Sequence, residues 1–543
     1  MATRYLFVTG GVLSGLGKGI TASSVGLLLQ AAGFTVTAVK CDMYLNIDAG
    51  TMNPIEHGEV FVTADGVETD QDMGHYERFL HVDLHRENYI TAGQVYRHVL
   101  EKERRLEYKG RCVDAYLDVP EEIIHRFQQI AKTTKAEFVV VELGGTVGEY
   151  QNMLFFEAIR RMKVKYSRRV VIMHVGYLPV PHHLGEMKTK PLQQSILELH
   201  RLGLAADMVV GRSEKSMDEK RKQKVAYGAG IPSIDIFSNP DLDTIYRVPL
   251  FLEEQGMTDR LLKKFSLKRK KKDLKEWRAL IDRIDQAKDP VKIAIVGKYF
   301  TSGEFSLEDS YVCVIEAIKH AAWELGLQPQ ITWCNSEEFE GKNAQELLSK
   351  RLSGCDGVIV PQGWGNRGVE GKIATVQYAR EQKVPYLGLC FGMQMAIIEF
   401  ARHVCGLKDA NSTEVNPKTA HPVICIMDDQ KKLVRKKQYG GTIRLGQWPC
   451  KLTPGTLVYE AYEKSLVLER HRHRYEVNNS FRALFESKGL RIAGVSPDST
   501  LIEAIELKNH PFFVGTQFHP ELQSRPLTPH PLFIAFLKAC RAH

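Results

Sequence analysis

A single cysteine between two glycines is the feature of the sequence that most directly indicates chemistry. The stretch Gly388–Gln394 reads Gly-Leu-Cys-Phe-Gly-Met-Gln and follows an apolar, strand-like run. Strand, small residue, nucleophile, small residue and helix, in that order, form a nucleophile elbow, whose sharp turn exposes the nucleophile. A helix N-terminus at Phe391 favours the thiolate form of Cys390. The pattern therefore predicts covalent catalysis by Cys390.

A base for this thiol stands near the end of the chain, in Gln517-Phe518-His519-Pro520-Glu521. His519 can take the thiol proton, while Glu521 orients the imidazole and stabilises its charged form. An oxyanion needs two backbone donors, which we expect from Phe391 and from the loop at residues 361–365. Each piece alone has a plain alternative, because a cysteine is often inert core and a His-Pro pair is often a turn. Together, in this chain order, they resemble the class I glutamine amidotransferases.

A glycine-rich stretch directly after the first apolar run indicates phosphate binding. Residues 10–20 hold several glycines and Lys18. Glycines let backbone N–H groups converge on a phosphate, and the lysine adds a positive charge. A helix beginning near Thr21 would direct its positive end to the same place. The stretch is not a strict Walker A motif, because its glycine spacing is one residue too long and Gly19 replaces the usual Ser or Thr. The alternative is a glycine-rich turn that binds nothing.

Phosphoryl transfer also needs Mg²⁺ held by carboxylates. Asp72 closes the acidic stretch 68–72, and Glu142 ends the apolar run 138–141. A carboxylate at the C-terminal end of a parallel strand faces the crevice where such sheets bind ligands. Asp72 has an alternative role as a turn residue, whereas a buried Glu142 is costly without a partner. We predict Asp72 and Glu142 as metal ligands.

Two sheets are needed to position these residues, and the chain provides two alternations of strand and helix. Strands are predicted at Tyr5–Thr9, Thr35–Lys40, Phe138–Glu142, Val170–His174, Asp207–Val210, Lys292–Gly297, Gly357–Val360 and Tyr386–Leu389. Such alternation indicates parallel, doubly wound α/β sheets. The predicted organisation is an N-terminal P-loop-like domain (residues 1–265), a basic linker (266–290) and a C-terminal class I glutamine amidotransferase α/β domain (291–543).

Length and composition fit this division. A chain of 543 residues is too long for one core, and 43% hydrophobic with 25% charged residues is typical of a soluble globular protein. No apolar run is long enough for a membrane span, and the N-terminus has no signal-peptide pattern. The ten cysteines are scattered, which predicts reduced thiols in a cytoplasmic protein.

The net charge of +8 suggests anionic partners without identifying them. Much of the excess lies in the stretch Lys263–Lys275, which includes Lys268-Arg269-Lys270-Lys271-Lys272. Nucleic-acid binding would favour aromatic residues among these charges, and the run 268–272 is followed by none before Trp277. We interpret the run as a solvated linker and expect neither nucleic acid nor a membrane as a partner.

Over nearly its whole length the chain resembles the CTP synthases. Family motifs are matched as GGVxSxxGKG (residues 10–19), NxDxGTM (46–52), EHGEVFV (56–62), DxGHYERF (72–79), ELGGTVG (142–148), GExKTKP (185–191), IYxVPL (245–250), ANSTE (410–414), GGTxRLG (440–446), ERHRHRYEVN (469–478) and QFHPE (517–521). The longer of these strings are too specific to arise by coincidence.

The resemblance implies an amide ligase that makes CTP. Glutamine is hydrolysed at Cys390 through a thioester, and the ammonia passes through an internal tunnel gated near Pro54, His57 and Val60. ATP phosphorylates the 4-oxygen of UTP, and ammonia then displaces the phosphate. Mg²⁺, ATP as co-substrate, activation by GTP, inhibition by CTP and a homotetramer built from synthase domains are also implied.

Three sets of site residues follow from the resemblance. The ATP–Mg²⁺ site comprises Gly15, Leu16, Gly17, Lys18, Gly19, Ile20, Lys40, Asp72, Glu142 and Arg212, the last near the adenine. The UTP and CTP site comprises Ser14, Glu149, Tyr150, Gln151, Lys188, Thr189, Lys190, Pro191, Leu192, Gln193 and Lys224. The glutamine pocket comprises Gly363, Phe391, Gly392, Met393, Gln394, Glu414 and Arg474, and Arg474 can pair with a substrate carboxylate.

Four motifs depart from the family pattern. GDIES becomes residues 148–152, QVxPHxT becomes 114–120, HxTYxPY becomes 174–180 and PGGFG becomes 361–365. The phosphate and Mg²⁺ positions are intact, so the triphosphate machinery is kept while the surroundings of the base and sugar differ. Lost CTP feedback or a changed pyrimidine substrate would follow.

Three other functions are considered. The first is a related glutamine-dependent ligase acting on a different or modified nucleotide. The second is a non-catalytic scaffold or filament paralogue, against which the intact set Cys390, His519 and Glu521 and the intact Lys18 argue. The third is a nucleic-acid binder using residues 268–272, for which the chain has no recognition fold.

Overall fold

The structure is a computed structural model that describes residues 2–13, 15–298, 301–302, 305–306, 308–426 and 443–543. Its contacts divide the chain into two compact units. The first comprises Met1–Asp48 and Asp72–Ile281, and the second comprises Ala49–Gln71 and Asp282–His543. Ser14 and the first part of the GGTxRLG motif (residues 440–442) lie outside the described residues. Labels below number the strands of the two main sheets and the helices longer than four residues.

The first unit is built on a seven-stranded, entirely parallel sheet. Its strands are β1 (Arg4–Gly10), β2 (Val36–Asp42), β3 (Tyr89–Thr91), β4 (Phe138–Leu143), β5 (Val170–Tyr177), β6 (Met208–Ser213) and β7 (Ile236–Pro240). Their order is β3-β2-β4-β1-β5-β6-β7. All five strands predicted in this half are present, and the parallel, doubly wound sheet is confirmed.

Helices cover this sheet because its strands are buried along nearly their whole length. They are α1 (Lys18–Ala31), α2 (Asp72–Leu80), α3 (Ala92–Arg104), α4 (Ala115–Thr134), α5 (Met153–Lys165), α6 (Lys190–Arg201), α7 (Glu219–Ala229), α8 (Val248–Glu254), α9 (Met257–Lys264) and α10 (Lys275–Gln286). The ring of Phe7 in β1 lies 5.6 Å from that of Phe127 in α4. Leu6 and Val8, which alternation directs to the opposite face, are fully buried as well.

The second unit has a nine-stranded mixed sheet. Its strands are β8 (Asp289–Gly297), β9 (Leu327–Asn335), β10 (Gly357–Val360), β11 (Tyr386–Leu389), β12 (Arg444–Leu452), β13 (Leu466–His473), β14 (Leu490–Val495), β15 (Ile502–Leu507) and β16 (Phe513–Thr516). The order is β9-β8-β10-β11-β16-β15-β14-β12-β13. The first five strands in this order are parallel, and the remaining pairings are antiparallel.

The helices of this unit pack on the parallel half of the sheet and at its ends. They are α11 (Val312–Glu324), α12 (Ala344–Leu352), α13 (Val369–Gln382), α14 (Phe391–His403), α15 (Leu457–Tyr462), α16 (Arg482–Ser487) and α17 (Pro531–Ala542). Smaller pairings join Asn411–Ser412, Pro422–Ile426 and Tyr475–Val477, and Thr301–Ser302 with Phe305–Ser306.

Residues 49–71 belong to the second unit although their neighbours on both sides in the chain belong to the first. They contain a short helix, Pro54–His57, and a hairpin of Phe61–Val62 with Glu68–Thr69. Arg470 Nη1 donates to the Val62 carbonyl at 3.0 Å, and Arg472 Nε donates to Glu68 at 2.8 Å. Both arginines lie in β13, which therefore holds the hairpin in place. The domains predicted from the sequence, 1–265 and 291–543, are continuous and do not assign residues 49–71 to the second unit.

The basic run at residues 268–272 is exposed except for the half-buried Arg269, and it is attached to the first unit. Arg269 pairs with Glu253 at 2.7 Å, and Lys270 Nζ pairs with Glu137 at 2.7 Å. The backbone N–H groups of Lys270 and Lys271 both donate to the Ala32 carbonyl. These contacts hold the positive charge of the run against the first unit.

None of the helices in the described residues is long and apolar enough to cross a membrane. All ten cysteines, each within the described ranges, are free thiols.

Candidate active sites

The glycine-rich loop joins β1 to α1 at the C-terminal edge of the first sheet. Gly15 and Gly17 have φ values of 69° and 83°, which residues with a side chain rarely adopt. Helix α1 begins at Lys18, three residues earlier than predicted, so its N-terminus directly follows these glycines. Lys18 is buried, and its Nζ donates to the Gly145 carbonyl at 2.8 Å. The loop thus has the backbone geometry expected of a phosphate-binding turn.

Two carboxylates and a lysine lie beside this loop. Lys40, at the end of β2, donates to Asp72 and, at 3.2 Å, to Glu142 at the end of β4. The hydroxyl of Tyr76 donates to the other oxygen of Glu142. Burial and the Asp72 charge raise the pKa of Glu142, while Lys40 and His75 outweigh burial and lower the pKa of Asp72. Asp42 also lies 3.9 Å from Lys40, and Asp72 and Glu142 supply the carboxylate oxygens that a divalent cation prefers.

Asp72 also explains why glycine occupies position 19. A side chain at Gly19 would collide with the Asp72 carboxylate, because its Cβ would lie closer to the carboxylate oxygen than van der Waals contact allows. The serine or threonine of a strict Walker motif would therefore displace Asp72. Arg212 lies on the other side of the loop, where its Nε is 3.4 Å from the position of a Cβ on Gly17. Its guanidinium is fixed by the carbonyls of Asn239 and Pro240 and by Asp241.

The residues assigned to UTP and CTP fall into two groups in the structure. In the first, Glu149 accepts from the backbone and hydroxyl of Thr146, both at 2.7 Å, and from Gln151 Nε2 at 3.0 Å. Burial opposes the effect of these bonds, but together they lower the pKa of Glu149. Tyr150 is 93% exposed, so its ring contacts almost nothing within the chain.

The second group lies at the start of α6. Gln193 donates to the Lys224 carbonyl at 3.2 Å and accepts from Thr189, and Lys188 pairs with Glu186 at 2.8 Å. Lys190 and Pro191 open the helix, and Leu192 is buried beneath them. Among the described residues, no hydrogen bond or ion pair joins this group to the first.

The altered motif at residues 114–120 has a structural role. Asp114, which stands where the family pattern has glutamine, caps α4 by accepting from the backbone of Tyr116 and Leu117. Asp118 accepts from the backbone of Asp114 and pairs with Arg111. The acid introduced here therefore stabilises a helix N-terminus.

The predicted elbow is present at Cys390. Its φ of 52° and ψ of −98° lie outside the usual regions for a residue with a side chain, directly before α14. Strand β11 ends beside β16, with Leu389 opposite Thr516, and this pairing brings residues 517–519 next to the nucleophile. Gln517 Nε2 lies 3.6 Å from the Cys390 sulfur. The register of two parallel strands thus assembles the site.

His519 is buried, and its neighbours favour the protonated form of its imidazole. Its Nδ1 is 2.7 Å from Glu521 Oε1. Burial alone would lower the pKa of His519, but Glu521 and Cys390 outweigh it and raise that pKa to about 10. A carboxylate on Nδ1 leaves Nε2 as the nitrogen that exchanges protons with substrate and thiol.

The second oxyanion donor lies in the loop after β10. Lys372 donates to the Pro361 carbonyl at 2.8 Å, and Lys298 donates to the Gly365 carbonyl at 2.8 Å. Burial lowers the pKa of both lysines, that of Lys298 to about 8. Within the described part of the chain, the N–H groups of Gly363 and Phe391 have no acceptor. They are therefore available to an oxyanion.

The structure describes the remaining residues predicted for the glutamine pocket. Gln394 donates to Gln517 at 3.2 Å and to the Tyr475 carbonyl at 3.0 Å. Glu414 accepts from the Gly365 N–H at 2.8 Å, and its pKa is raised by burial. Arg474 is buried. A side chain at Gly392 would collide with the Val360 carbonyl, so only glycine fits there.

A cavity of about 20 Å³ adjoins His519. Its lining includes Pro54 and Val60, two of the predicted gate residues, together with Gly363. A volume of this size holds about one water-sized molecule. The third gate residue, His57, lies 3.8 Å from Asp70.

Sequence reasoning missed several residues that shape these sites. Tyr76, Lys298, Lys372 and Glu59 were not predicted. Tyr76 lies in the matched DxGHYERF motif and Glu59 in EHGEVFV. The motifs therefore marked these two residues but did not indicate what they contact. His174 was noted only as part of a departure, yet it bridges Thr9 and Ser195 under the phosphate loop at 2.9 Å each, with a pKa lowered by burial to about 3.

The second unit therefore places Cys390, His519 and Glu521 in the order of a Cys-His-Glu site, and the first has a turn of the P-loop type; the combination is expected of a glutamine-dependent ligase. Comparison with family models agrees: residues 4–267 match the CTP synthase N-terminus and residues 306–539 match class I glutamine amidotransferase. A CTP synthase of Caldanaerobacter subterraneus subsp. tengcongensis is 49% identical over 99% of this chain and 98% of its own length. One from Chloroflexus aurantiacus is 48% identical over 99% and 96%. The chain belongs to the CTP synthase family.

A solved structure, the glutaminase domain of Trypanosoma brucei CTPS with bound acivicin, is 39% identical to this chain. It covers 46% of this chain and 94% of its own, with a TM-score of 0.43.

Proposed function

We propose that this protein converts UTP to CTP, with ATP as phosphoryl donor and glutamine as nitrogen donor. One observation carries the proposal: a single chain holds both a Cys390–His519 pair and a glycine-rich loop whose Lys18 is accompanied by Asp72 and Glu142. The full-length relatives named CTP synthase support the choice of substrate. The balanced reaction is UTP, ATP, glutamine and water to CTP, ADP, phosphate and glutamate.

The second unit releases the nitrogen. Cys390 Sγ attacks the side-chain carbonyl carbon of glutamine as the thiolate of a thiolate–imidazolium pair, in which His519 already holds the proton. The N–H groups of Gly363 and Phe391 stabilise the oxyanion. Collapse breaks the C–N bond, and the imidazolium gives its proton to the leaving ammonia. Water then hydrolyses the thioester with His519 as base, which regenerates the thiol and releases glutamate.

The first unit activates the pyrimidine. Lys18 and the loop N–H groups hold the ATP phosphates, and the γ-phosphoryl group moves to the 4-oxygen of UTP. Ammonia adds at C4 and phosphate leaves, because a phosphorylated oxygen is a far better leaving group than the carbonyl oxygen. Asp72 and Glu142 are the residues that would hold Mg²⁺, which supplies charge neutralisation to the phosphates when bound.

The nitrogen passes from one reaction to the next through an internal tunnel that begins at the cavity beside His519. Support comes from Pro54 and Val60, which line this cavity in the second unit. A path closed to water keeps ammonia unprotonated and therefore nucleophilic.

The assembly is a homotetramer formed through the first unit. Of the eighteen large, exposed hydrophobic residues in the described part of the chain, fourteen belong to this unit, Leu106, Tyr116, Leu117 and Tyr150 among them. A first unit that carries most of the exposed, large apolar side chains supports this choice of interface. GTP acts as activator, and the free thiols fit a cytoplasmic location.

The decisive experiment measures CTP from UTP and ATP, with glutamine or with ammonium chloride as nitrogen source. We expect CTP from both sources, and turnover near the ordinary range of about 1–10³ s⁻¹. A parallel assay with other pyrimidine triphosphates tests the alternative substrate. Absence of CTP from either source, with glutamate still formed, would reject UTP as the substrate.

A further inference from the structure

The side chain of Gln362 makes a contact that the family's loop pattern does not allow. PGGFG has glycine at this position, whereas here the Gln362 amide nitrogen donates to Glu59 Oε1 at 2.8 Å. The backbone at Gln362 does not have a positive φ, so a side chain is accepted there without strain. The departure therefore adds a bond without distorting the loop.

Glu59 connects this loop to a helix. Its second oxygen accepts from the backbone N–H of Cys313, in the first turn of α11, at 2.6 Å. A carboxylate at a helix N-terminus is stabilised by the exposed N–H groups there. Glu59 is only 4% exposed, so its bonds to Gln362 and Cys313 are protected from solvent. Its carboxylate is therefore held in one orientation facing Gln362.

The bond acts on the peptide that carries the oxyanion donor. The Gln362 carbonyl accepts from Tyr311 at 3.4 Å and from Lys372 at 3.5 Å. Because a trans peptide is planar, a carbonyl held on that side directs the Gly363 N–H the other way. The Gln362 side chain adds a third restraint, and this one comes from residues 49–71.

The same contact lies in the wall of the cavity beside His519, where Glu59, Gln362 and Gly363 are neighbours. We propose that Gln362 is a positioning residue that couples the oxyanion loop to residues 49–71, so that glutamine is cleaved efficiently only while that segment closes the cavity. This inference rests on the proposed function. The loop would then respond directly to the segment that lines the exit for ammonia.

The test uses the full-length protein and three variants: Gln362→Leu, Gln362→Glu and the exchange variant Gln362→Glu/Glu59→Gln. Leucine removes the amide at similar size. Glutamate places two carboxylates against each other. The exchange variant restores an amide–carboxylate bond with reversed direction, and its amide oxygen can still accept from Cys313.

We expect Gln362→Leu to lower glutamine hydrolysis about tenfold, and Gln362→Glu by more, as lost bonds to a charged group typically do. The CTP formed per glutamate should also fall below one, while synthesis from ammonia stays within about twofold of the natural protein. The exchange variant should regain most of both quantities. Gln345→Leu, an exposed position in α12, is the matched control.

Full glutamine hydrolysis and an unchanged CTP-to-glutamate ratio in Gln362→Leu would overturn the inference. So would equal loss with both nitrogen sources, which would indicate a general folding defect, or a failure of the exchange variant to recover. Lack of CTP from ammonia in the natural protein would instead reject the proposed function, so the two failures are distinguishable.

Discussion

At the scale of single residues, the chemistry depends on how His519 keeps its proton. The imidazole is buried, which disfavours its charge, yet it lies between a carboxylate and a thiol that both favour it. A histidine with a pKa of about 10 remains protonated at neutral pH. The imidazolium is then ready to give a proton to the departing nitrogen. Without this proton the nitrogen would leave as an amide anion, which is a poor leaving group.

Replacing Glu521 by Gln should remove the largest influence that raises the pKa of His519. That pKa then falls toward its ordinary value of about 6.5. In the natural protein the imidazolium is lost only as pH approaches 10, so the alkaline fall in glutaminase rate should lie there; in Glu521→Gln it should move to lower pH. We also expect kcat to fall about 10²–10⁴-fold. A pH–rate profile from pH 6 to about 10 checks this, with Glu486→Gln as an exposed control; an unmoved alkaline limb would contradict the assignment.

Replacing Cys390 by Ala should abolish CTP synthesis from glutamine and spare synthesis from ammonia, because the thiolate serves only to release nitrogen. Rates from both nitrogen sources, measured on the same preparation, provide the comparison. Alanine at the exposed Cys112 is the control. Equal loss with both sources would mean that the two reactions are not divided between the two sites as proposed.

At the scale of elements, the phosphate loop and the strand ends beside it act as one device. Lys18 begins α1, Lys40 ends β2 and Glu142 ends β4. Because parallel strands end at the same edge, residues distant in the chain meet there. The carboxylate of Asp72 completes the group and leaves space only for glycine at position 19.

Alanine at Lys18 or Asp72 should remove CTP synthesis from either nitrogen source, because both residues act on ATP phosphates. A loss of about 10²-fold or more is expected, while glutamine hydrolysis at Cys390 continues. Glutamate and CTP are quantified in parallel, with Lys132→Ala as an exposed control. Survival of ammonia-dependent synthesis in either variant would show that the phosphate site lies elsewhere.

The loop at residues 148–152 should bind CTP weakly. An amide at Gln151 accepts less strongly than a carboxylate, and here its nitrogen is already bonded to Glu149. Loss of one charge-assisted bond corresponds to about tenfold in affinity. The variant Glu149→Asp/Tyr150→Ile/Gln151→Glu restores three of the four residues that differ from GDIES, leaving Asn152 unchanged, and should be inhibited at about tenfold lower CTP concentration. A CTP titration at fixed UTP gives the answer, and tight inhibition of the natural protein would disprove the idea.

At the scale of the whole molecule, what the sequence could predict depended on how local the signal was. The parallel sheet, the Cys390 elbow and the glycine-rich loop are each encoded by short stretches of sequence. Their backbone geometry could therefore be predicted from those stretches. The bond between Gln362 and Glu59 joins residues 303 positions apart, so no spacing indicates it. The placement of residues 49–71 in the second unit was equally hidden, because it depends on arginines in β13 that read only as part of a motif.

That placement bears on how such a protein can be inherited. Residues 49–71 are encoded within the first half of the reading frame but complete the second unit. A gene fragment for residues 291–543 alone would produce a glutaminase lacking the wall that Pro54, Glu59 and Val60 contribute beside His519. Ammonia released there would escape to solvent and be protonated. Under the proposed function, fission of the gene into two independent enzymes would therefore cost the glutaminase part of its ammonia path, and a single reading frame keeps that path intact in inheritance.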